Sequence, residues 1–224
     1  MANWDINMQS SAKSKPRWER RKEARPGELL SAALDQFVER GFSATRLEDV
    51  AERAGVSKGT LYLYFSSKED LFKAVVRDSL LPVLGQAEDL VSSFPGDSIE
   101  LFQLIIQGWW THIGNTKLTG LSKLVMSESG NFPELANFYH KEFIARGRKM
   151  ITSLLERGVA RGEFRPIDTI QMTQVIIAPL IMLMMWKHSF GASKINPINP
   201  EIYLNNLIDL SMRGLLKDTS SFTQ

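Results

Sequence analysis

The chain of 224 residues contains no cysteine and only three histidines. Without cysteine, disulfide bonds and thiolate ligands for a metal ion are excluded, and the composition is compatible with a reducing cytoplasm. His112, His140 and His188 lie far apart in the sequence and show none of the spacings typical of metal-binding motifs. We therefore expect neither a metal site nor a cofactor.

Long apolar runs are scarce as well. The longest covers residues 175–186 (VIIAPLIMLMMW), and its twelve residues are too few to span a bilayer. No apolar run follows the charged residues near the N-terminus, so we expect no signal peptide. These features predict a cytoplasmic protein that does not cross a membrane.

The alternation of apolar and polar residues that is typical of β-strands is also missing. Apolar residues instead recur every third or fourth position along most of the chain, which predicts α-helices. We expect an all-α protein of about nine helices. They form a small N-terminal module and a larger C-terminal one, and the helices beyond a break near residues 92–96 are longer.

Residue types mark the ends of the first two helices. Pro26 suits the first turn of a helix and Gly41 suits a left-handed C-cap, so the first helix is predicted between them. Thr45 and Glu48 have the spacing of a capping box, which predicts that the second helix begins there. This helix is expected to stop at Gly55.

The second and third helices have the features of a helix-turn-helix. Ala51 is small where two short helices must cross, and Gly55 supplies the positive φ that the turn between them requires. The third helix is predicted from Ser57 to about Tyr64. Its SKGT start lets the backbone approach DNA, and the positive end of its dipole favours a phosphate.

The later helices are longer. Ser67 is the predicted N-cap of a fourth helix that continues to about residue 93 and bends at Pro82, which cannot donate a backbone hydrogen bond. Asp168 caps an apolar helix that ends near Ser189, and a final helix covers about residues 200–216.

Residues 43–71, SATRLEDVAERAGVSKGTLYLYFSSKEDL, resemble the DNA-binding signature of the TetR family of bacterial transcriptional regulators. With residues 28–42 the resemblance covers the whole N-terminal module. More loosely, residues 122–143 (SKLVMSESGNFPELANFYHKEF) are similar to the C-terminal domain of an AefR-like subgroup. The resemblance implies a three-helix DNA-binding domain at residues 25–71 and a ligand-binding and dimerisation domain at 72–217. From composition and position, we expect residues 1–24 to be a flexible basic arm and residues 218–224 to be a frayed tail.

The same resemblance implies which residues meet DNA. The third helix would enter the major groove, where Lys58 can reach O6 or N7 of a guanine. Other side chains, such as Tyr64 and Lys68, would hold phosphates. Leu63 departs from the family pattern, in which a polar or aromatic residue is common, and it offers DNA only an apolar contact such as a thymine methyl group. The residues implied to contact DNA are Thr45, Arg46, Ser57, Lys58, Gly59, Thr60, Tyr62, Tyr64 and Lys68.

The N-terminal arm is strongly basic. Between Lys13 and Arg25 it has seven basic residues and two acidic ones, a local excess of +5. Such a segment is either a solvated tail or an arm attracted to phosphates. Its position directly before the DNA-binding module favours the second interpretation.

For the C-terminal domain the resemblance implies a homodimer and a small-molecule site. The last two long helices would form a four-helix bundle with their two-fold mates, so the DNA operator should be a pseudo-palindrome. Small-molecule pockets are mostly apolar and aromatic, although packing in the core is the more common role of any one such residue. The residues predicted to line a pocket are Trp110, Met126, Phe138 and Met182.

The predicted function is that of a DNA-binding transcriptional regulator, in the commoner case a repressor, that a small apolar ligand releases from double-stranded DNA. The alternative is a regulator or activator that needs no ligand or answers to a protein partner. An enzyme is disfavoured because the sequence has no Ser-His-Asp order, no glycine-rich phosphate loop and no metal cluster.

Overall fold

The computed structural model of the chain describes residues 17–190 and 198–217, with side chains from Pro26 onward. In these ranges the only β-type contact is an isolated bridge between Phe164 and Leu216. Two π turns, Trp110–Gly114 and His140–Ile144, extend α6 and join α8 to α9. The helices are α1 (Arg17–Ala44), α2 (Leu47–Arg53), α3 (Lys58–Tyr62), α4 (Lys68–Ser79), α5 (Leu81–Ser93), α6 (Ser98–Trp109), α7 (Thr119–Glu128), α8 (Pro133–Tyr139), α9 (Ala145–Ala160), α10 (Thr169–Ser189) and α11 (Pro200–Leu215).

The all-α prediction is confirmed. Helices α4 and α5 meet at Leu80, and α8 and α9 are joined by a π turn. When each of these pairs is counted as one helix, the described part of the chain has nine, the number expected from the sequence. Within the predicted fourth helix, α4 and α5 meet at Leu80, two residues before the expected bend at Pro82. Pro82 lies in the first turn of α5, where it has no N–H to continue the hydrogen bonding of α4.

Helix α1 differs from its prediction at both ends. It begins at Arg17, so Pro26 lies inside the helix and not in its first turn. The backbone of residues 17–24 is helical, which places the expected arm boundary inside α1, while residues 1–16 and the predicted tail lie outside the described residues. Gly41 has the expected positive φ (82°), but with ψ of 170° it kinks the chain before a last helical turn.

The predicted capping box at Thr45 was wrong. Thr45 is buried, and its hydroxyl lies 2.7 Å from the carbonyl oxygen of Gly41 and 3.2 Å from that of Gln36, where it bridges the kink of α1. Helix α2 therefore begins after Arg46 without a side-chain cap. The caps predicted at Ser67 and Asp168 are confirmed, and so is the helix start at Ser57, because each side chain accepts a backbone N–H. Asp97 and Asn199 cap α6 and α11 in the same way.

The buried apolar side chains form two clusters. We call the first the shared core, because it contains residues of α1 to α4 together with residues of α7 and α8. The rings of Phe37, Phe42 and Phe72 lie at its centre, with centroids between 5.5 and 5.8 Å apart. The second cluster joins α6, α9, α10 and α11. The predicted domain boundary at residues 71 and 72 therefore runs through one hydrophobic core.

Gly158 provides a test of packing in the second cluster. A Cβ atom at Gly158 would overlap the ring of Phe164, which is fully buried. We expect Gly158→Ala to lower the free energy of unfolding by about 2 kcal/mol, because the ring must leave its site. Gly147 is the control in the same helix, since nothing lies within 4 Å of an added Cβ there.

Gly147→Ala should raise the free energy of unfolding by about 0.5–1 kcal/mol, because alanine favours the helix over the unfolded chain. Urea denaturation of both variants measures the two effects. A Gly158→Ala protein as stable as Gly147→Ala contradicts the packing described here.

Helix α10 leaves much of its apolar surface uncovered. Among the described helices it alone is long and apolar enough to cross a membrane. Only 28% of its most apolar stretch is buried. Its inner side is nevertheless fixed to neighbouring helices by polar contacts. The hydroxyls of Thr173 and Thr152 are 2.9 Å apart, and the Tyr203 hydroxyl donates to the Pro179 carbonyl at 3.0 Å. We therefore regard α10 as a packed helix of the fold with one open apolar side.

Candidate nucleic-acid interface

Helices α2 and α3 form the predicted helix-turn-helix. Gly55, in the turn, has the expected positive φ of 66°. The Val56 N–H donates to the Ala51 carbonyl at 2.9 Å, which closes the turn. Leu61 is fully buried in the shared core and fixes α3 to the rest of the module. As predicted, α2 faces inward through Leu47, Val50 and Ala51.

The exposed side of α3 consists of few large side chains. We use the name outer face of α3 for Gly59 and Tyr62 together with the two residues that directly follow the helix, Leu63 and Tyr64. The exposed fractions are 45% for Tyr62, 84% for Leu63 and 39% for Tyr64. Both tyrosines are thus placed at the surface, as the sequence predicted, beside a glycine that leaves the backbone open to approach.

The hydroxyls at the start of α3 cap the helix. The Ser57 hydroxyl oxygen accepts the backbone N–H of Thr60 at 3.1 Å. The two side-chain oxygens are also 2.9 Å apart, within hydrogen-bond distance. These contacts fix the N-terminal turn of α3, so that its backbone N–H groups keep one orientation.

Lys58, the predicted reader of a base edge, is paired with Glu48 of α2. The hydrogen bond between them raises the pKa of Lys58 and lowers the pKa of Glu48. The Lys58 ammonium group also lies 5.7 Å from the ring centroid of Tyr62. The cation is therefore at the edge of the outer face, but a carboxylate holds it.

Two of the residues predicted to hold phosphates instead support the fold. The Lys68 ammonium group donates to the carbonyl oxygens of Phe42, Ser43 and Thr45, at 2.7, 3.1 and 3.0 Å. Thr45 is only 2% exposed. This geometry does not support phosphate contacts by Thr45 and Lys68, because their polar atoms already bind the backbone. Arg46, in contrast, is exposed at the start of α2.

The four residues predicted to line a ligand pocket lie in different surroundings. Met126 and Met182 are surface residues of α7 and α10, with 51% and 57% exposed. Trp110 packs on the second cluster, below Lys187, while Phe138 packs on the shared core. The assignment of these four residues to a ligand pocket stays a prediction, and helical spacing did not reveal that Met126 and Met182 are exposed in the single chain.

Contacts between α7 and the N-terminal module were missed by the sequence reasoning. The Ser43 N–H donates to the Glu128 carboxylate at 3.1 Å. Asp35 accepts from Arg53 at 3.2 Å and from Lys117 at 2.5 Å. These partners are far apart in sequence, so no local pattern indicated them. In the described part of the chain, no group of three or more acidic or histidine side chains is arranged to hold a metal ion.

Two family models match the chain. Residues 29–75 match the one described as bacterial regulatory proteins, tetR family. Residues 105–191 match the one described as tetracyclin repressor-like, C-terminal domain. The first match covers the helix-turn-helix, and the second covers the larger helical part from the end of α6 to α10.

Known proteins are similar in sequence and fold. The transcriptional repressor KstR2 of Mycobacterium tuberculosis is 30% identical over 144 residues, which cover 64% of this chain and 70% of the repressor. RutR of Escherichia coli, an HTH-type transcriptional regulator, is 49% identical over 72 residues, 32% of this chain and 34% of RutR. FadR of Bacillus subtilis, solved in complex with stearoyl-CoA, superposes with a TM-score of 0.72 at 19% identity, covering 84% of this chain and 98% of FadR.

Proposed function

The chain belongs to the TetR family of bacterial regulatory proteins and is a DNA-binding transcriptional regulator, and from this premise we propose how it works. As a homodimer in the cytoplasm it binds a pseudo-palindromic operator and represses transcription until a small, largely apolar ligand releases it. The observation that carries the proposal is the helix-turn-helix, whose α3 is anchored by the buried Leu61 and presents an open outer face.

On DNA, α3 lies in the major groove with its N-terminal turn toward the sugar-phosphate backbone of the duplex. Gly59 permits close approach, and the hydroxyls of Tyr62 and Tyr64 are within reach of base edges and phosphates respectively. Arg46 and the capped start of α3, with Ser57 and Thr60, add contacts to phosphates. When the protein binds DNA, Lys58 leaves Glu48 and contacts a phosphate as well.

The homodimer is formed by α10 and α11. Val175 and Met182 are seven residues apart on α10, about two helical turns, so they lie on one side, where they are 63% and 57% exposed. Ile202 and Leu210 of α11 are 59% and 70% exposed. Exposed apolar side chains on both of the last two helices are what a partner subunit would cover. A two-fold axis through this interface relates the two α3 helices of the dimer, so that each can bind one half-site of the operator.

Ligand release requires coupling between the C-terminal helices and the DNA-binding module. The described contacts provide two routes. Helix α4 continues from the helix-turn-helix into the shared core. Glu128 at the end of α7 holds the Ser43 backbone, and Lys117, two residues before α7, holds Asp35. A ligand that fits α7 and α8 only in an arrangement that does not bind DNA shifts the population toward that arrangement. The complex of FadR with stearoyl-CoA, a molecule with a long apolar chain, supports an apolar ligand.

In vitro selection of random duplexes with the purified protein tests the proposal, followed by gel shifts with Tyr62→Ala. We expect a pseudo-palindromic operator for the wild type. The variant should lose specific retention while its mass in solution stays that of a dimer. Failure to select any sequence, or unchanged specific binding by Tyr62→Ala, overturns the assignment of α3. Ligands are sought by a thermal-shift screen, in which a bound molecule raises the melting temperature.

The Lys58–Glu48 pair leads to a separate prediction. Glu48→Gln should raise operator affinity about three- to tenfold in low salt, because it frees Lys58 and removes a negative charge near the duplex. The slope of log affinity against log salt should steepen by about 1 for each half-site that gains a phosphate contact. Titrations by fluorescence anisotropy at several salt concentrations measure both quantities.

Glu52→Gln is the matched control, because Glu52 is another exposed carboxylate of α2. It removes a negative charge without releasing Lys58, so its salt slope should stay that of the wild type. Equal slopes for the two variants would show that Lys58 gains no contact.

A further inference from the structure

Leu63 is the most exposed large apolar side chain in the described part of the chain, at 84%. Its backbone is helical (φ −70°, ψ −22°) at the C-cap of α3. Successive residues of a helix are turned by about 100°, so Gly59 and Leu63 lie roughly 160° and 200° around the axis from Leu61. Leu61 is fully buried. Leu63 is therefore the side chain that projects most directly away from the core of the module.

The polar side chains beside Leu63 are engaged elsewhere or stand to its sides. Lys58 is paired with Glu48, and the hydroxyls of Ser57 and Thr60 cap α3. Gly59, the other residue opposite Leu61, has no side chain. The centre of the outer face is thus an isobutyl group, which can neither donate nor accept a hydrogen bond.

Base edges in the major groove present hydrogen-bond donors and acceptors, and thymine adds a large apolar group. This group is the C5 methyl, which cytosine lacks. A leucine that displaced water from a donor or acceptor would leave that group unpaired, at a cost in free energy. A methyl group has no such cost, and its burial against an apolar side chain is favourable.

We propose that Leu63 is a specificity-determining residue that reads one thymine in each operator half-site through its C5 methyl group. This inference rests on the proposed function, because it needs α3 to lie in the major groove. It adds the identity of a base and the chemical group by which that base is recognised.

The test is a methyl-deletion scan of the operator obtained by selection. Each thymine is replaced in turn by deoxyuridine, which removes the C5 methyl group and keeps every hydrogen-bonding group. At one symmetry-related position we expect the affinity of the wild type to fall about fourfold for one half-site and about fifteenfold for both, the effect of one buried methyl group each. Thymines elsewhere in the operator serve as internal controls.

The same scan with Leu63→Ala assigns the effect to the side chain. The variant should fold normally, because the residue is exposed, and should bind thymine and deoxyuridine at that position with equal affinity. 5-Methylcytosine at that position should recover part of the wild-type affinity that cytosine loses. The inference is overturned if no thymine shows a methyl effect in the wild type or if Leu63→Ala keeps the full effect. If no operator can be selected, the proposed function fails and this inference with it.

Discussion

Val175→Asp is expected to convert the proposed dimer into monomers and to lower operator affinity at least about a hundredfold. Val175 is 63% exposed in the isolated chain and lies on the open apolar side of α10. Across a two-fold axis the substitution buries two carboxylates, and neither the desolvation nor the repulsion between them is compensated. A monomer holds one half-site only and loses the effective concentration that the second half-site provides.

Sedimentation velocity and gel shifts measure the two effects on the same samples. Gln86→Asp is the control, since it places the same charge at an exposed position of α5, outside the proposed interface. We expect it to remain dimeric and to bind the operator like the wild type. A dimeric Val175→Asp protein with unchanged operator affinity would rule out α10 as the dimer interface.

Lys68→Met is expected to lower the free energy of unfolding by about 3 kcal/mol. The variant keeps most of the aliphatic stem but loses the ammonium group, so three backbone carbonyls at the end of α1 lose their donor. Hydrogen bonds to a charged donor contribute about 1.5–3 kcal/mol each and are not additive. The contact of the cation with the Phe42 ring, 4.7 Å from its centroid, is lost as well.

Lys73→Met is the matched control on α4. Lys73 contacts the ring of Phe138 at 5.9 Å and lies five residues further along the helix. Its replacement should cost less than about 0.5 kcal/mol, as is usual for a surface substitution. Urea denaturation compares the two proteins. If Lys68→Met is as stable as Lys73→Met, the carbonyl contacts of Lys68 contribute little, and a role on phosphate becomes the better explanation.

Local sequence predicted what local contacts determine. A cap is a contact within three residues, and the caps at Ser57, Ser67 and Asp168 are found where the sequence placed them. The same holds for the positive φ of Gly55, which the turn itself requires. The family and the all-α fold were also predicted correctly, because the helix-turn-helix signature is dense and specific.

Distant contacts explain where the sequence prediction failed. Thr45 has the residue type of an N-cap, but the carbonyls of the kinked α1 compete for its hydroxyl. Lys68 resembles a phosphate ligand until its partners are seen 23 to 26 residues earlier in the chain. Met126 and Met182 have the chemistry of a pocket lining, yet both side chains are exposed on α7 and α10 in the single chain.

The shared core has a consequence for the way in which new regulators arise. Exchange of residues 25–71 with those of a relative would place foreign side chains against α7, where Gly120 fits closely against Val38 of α1. Such hybrids should fold poorly unless the facing residues of α7 and α8 are exchanged together with residues 25–71. Leu63 and the neighbouring tyrosines are exposed, so substitutions there can redirect the protein to another operator and leave the core intact. Evolution of operator choice is therefore expected to proceed by single replacements on the outer face of α3 more readily than by recombination of whole domains.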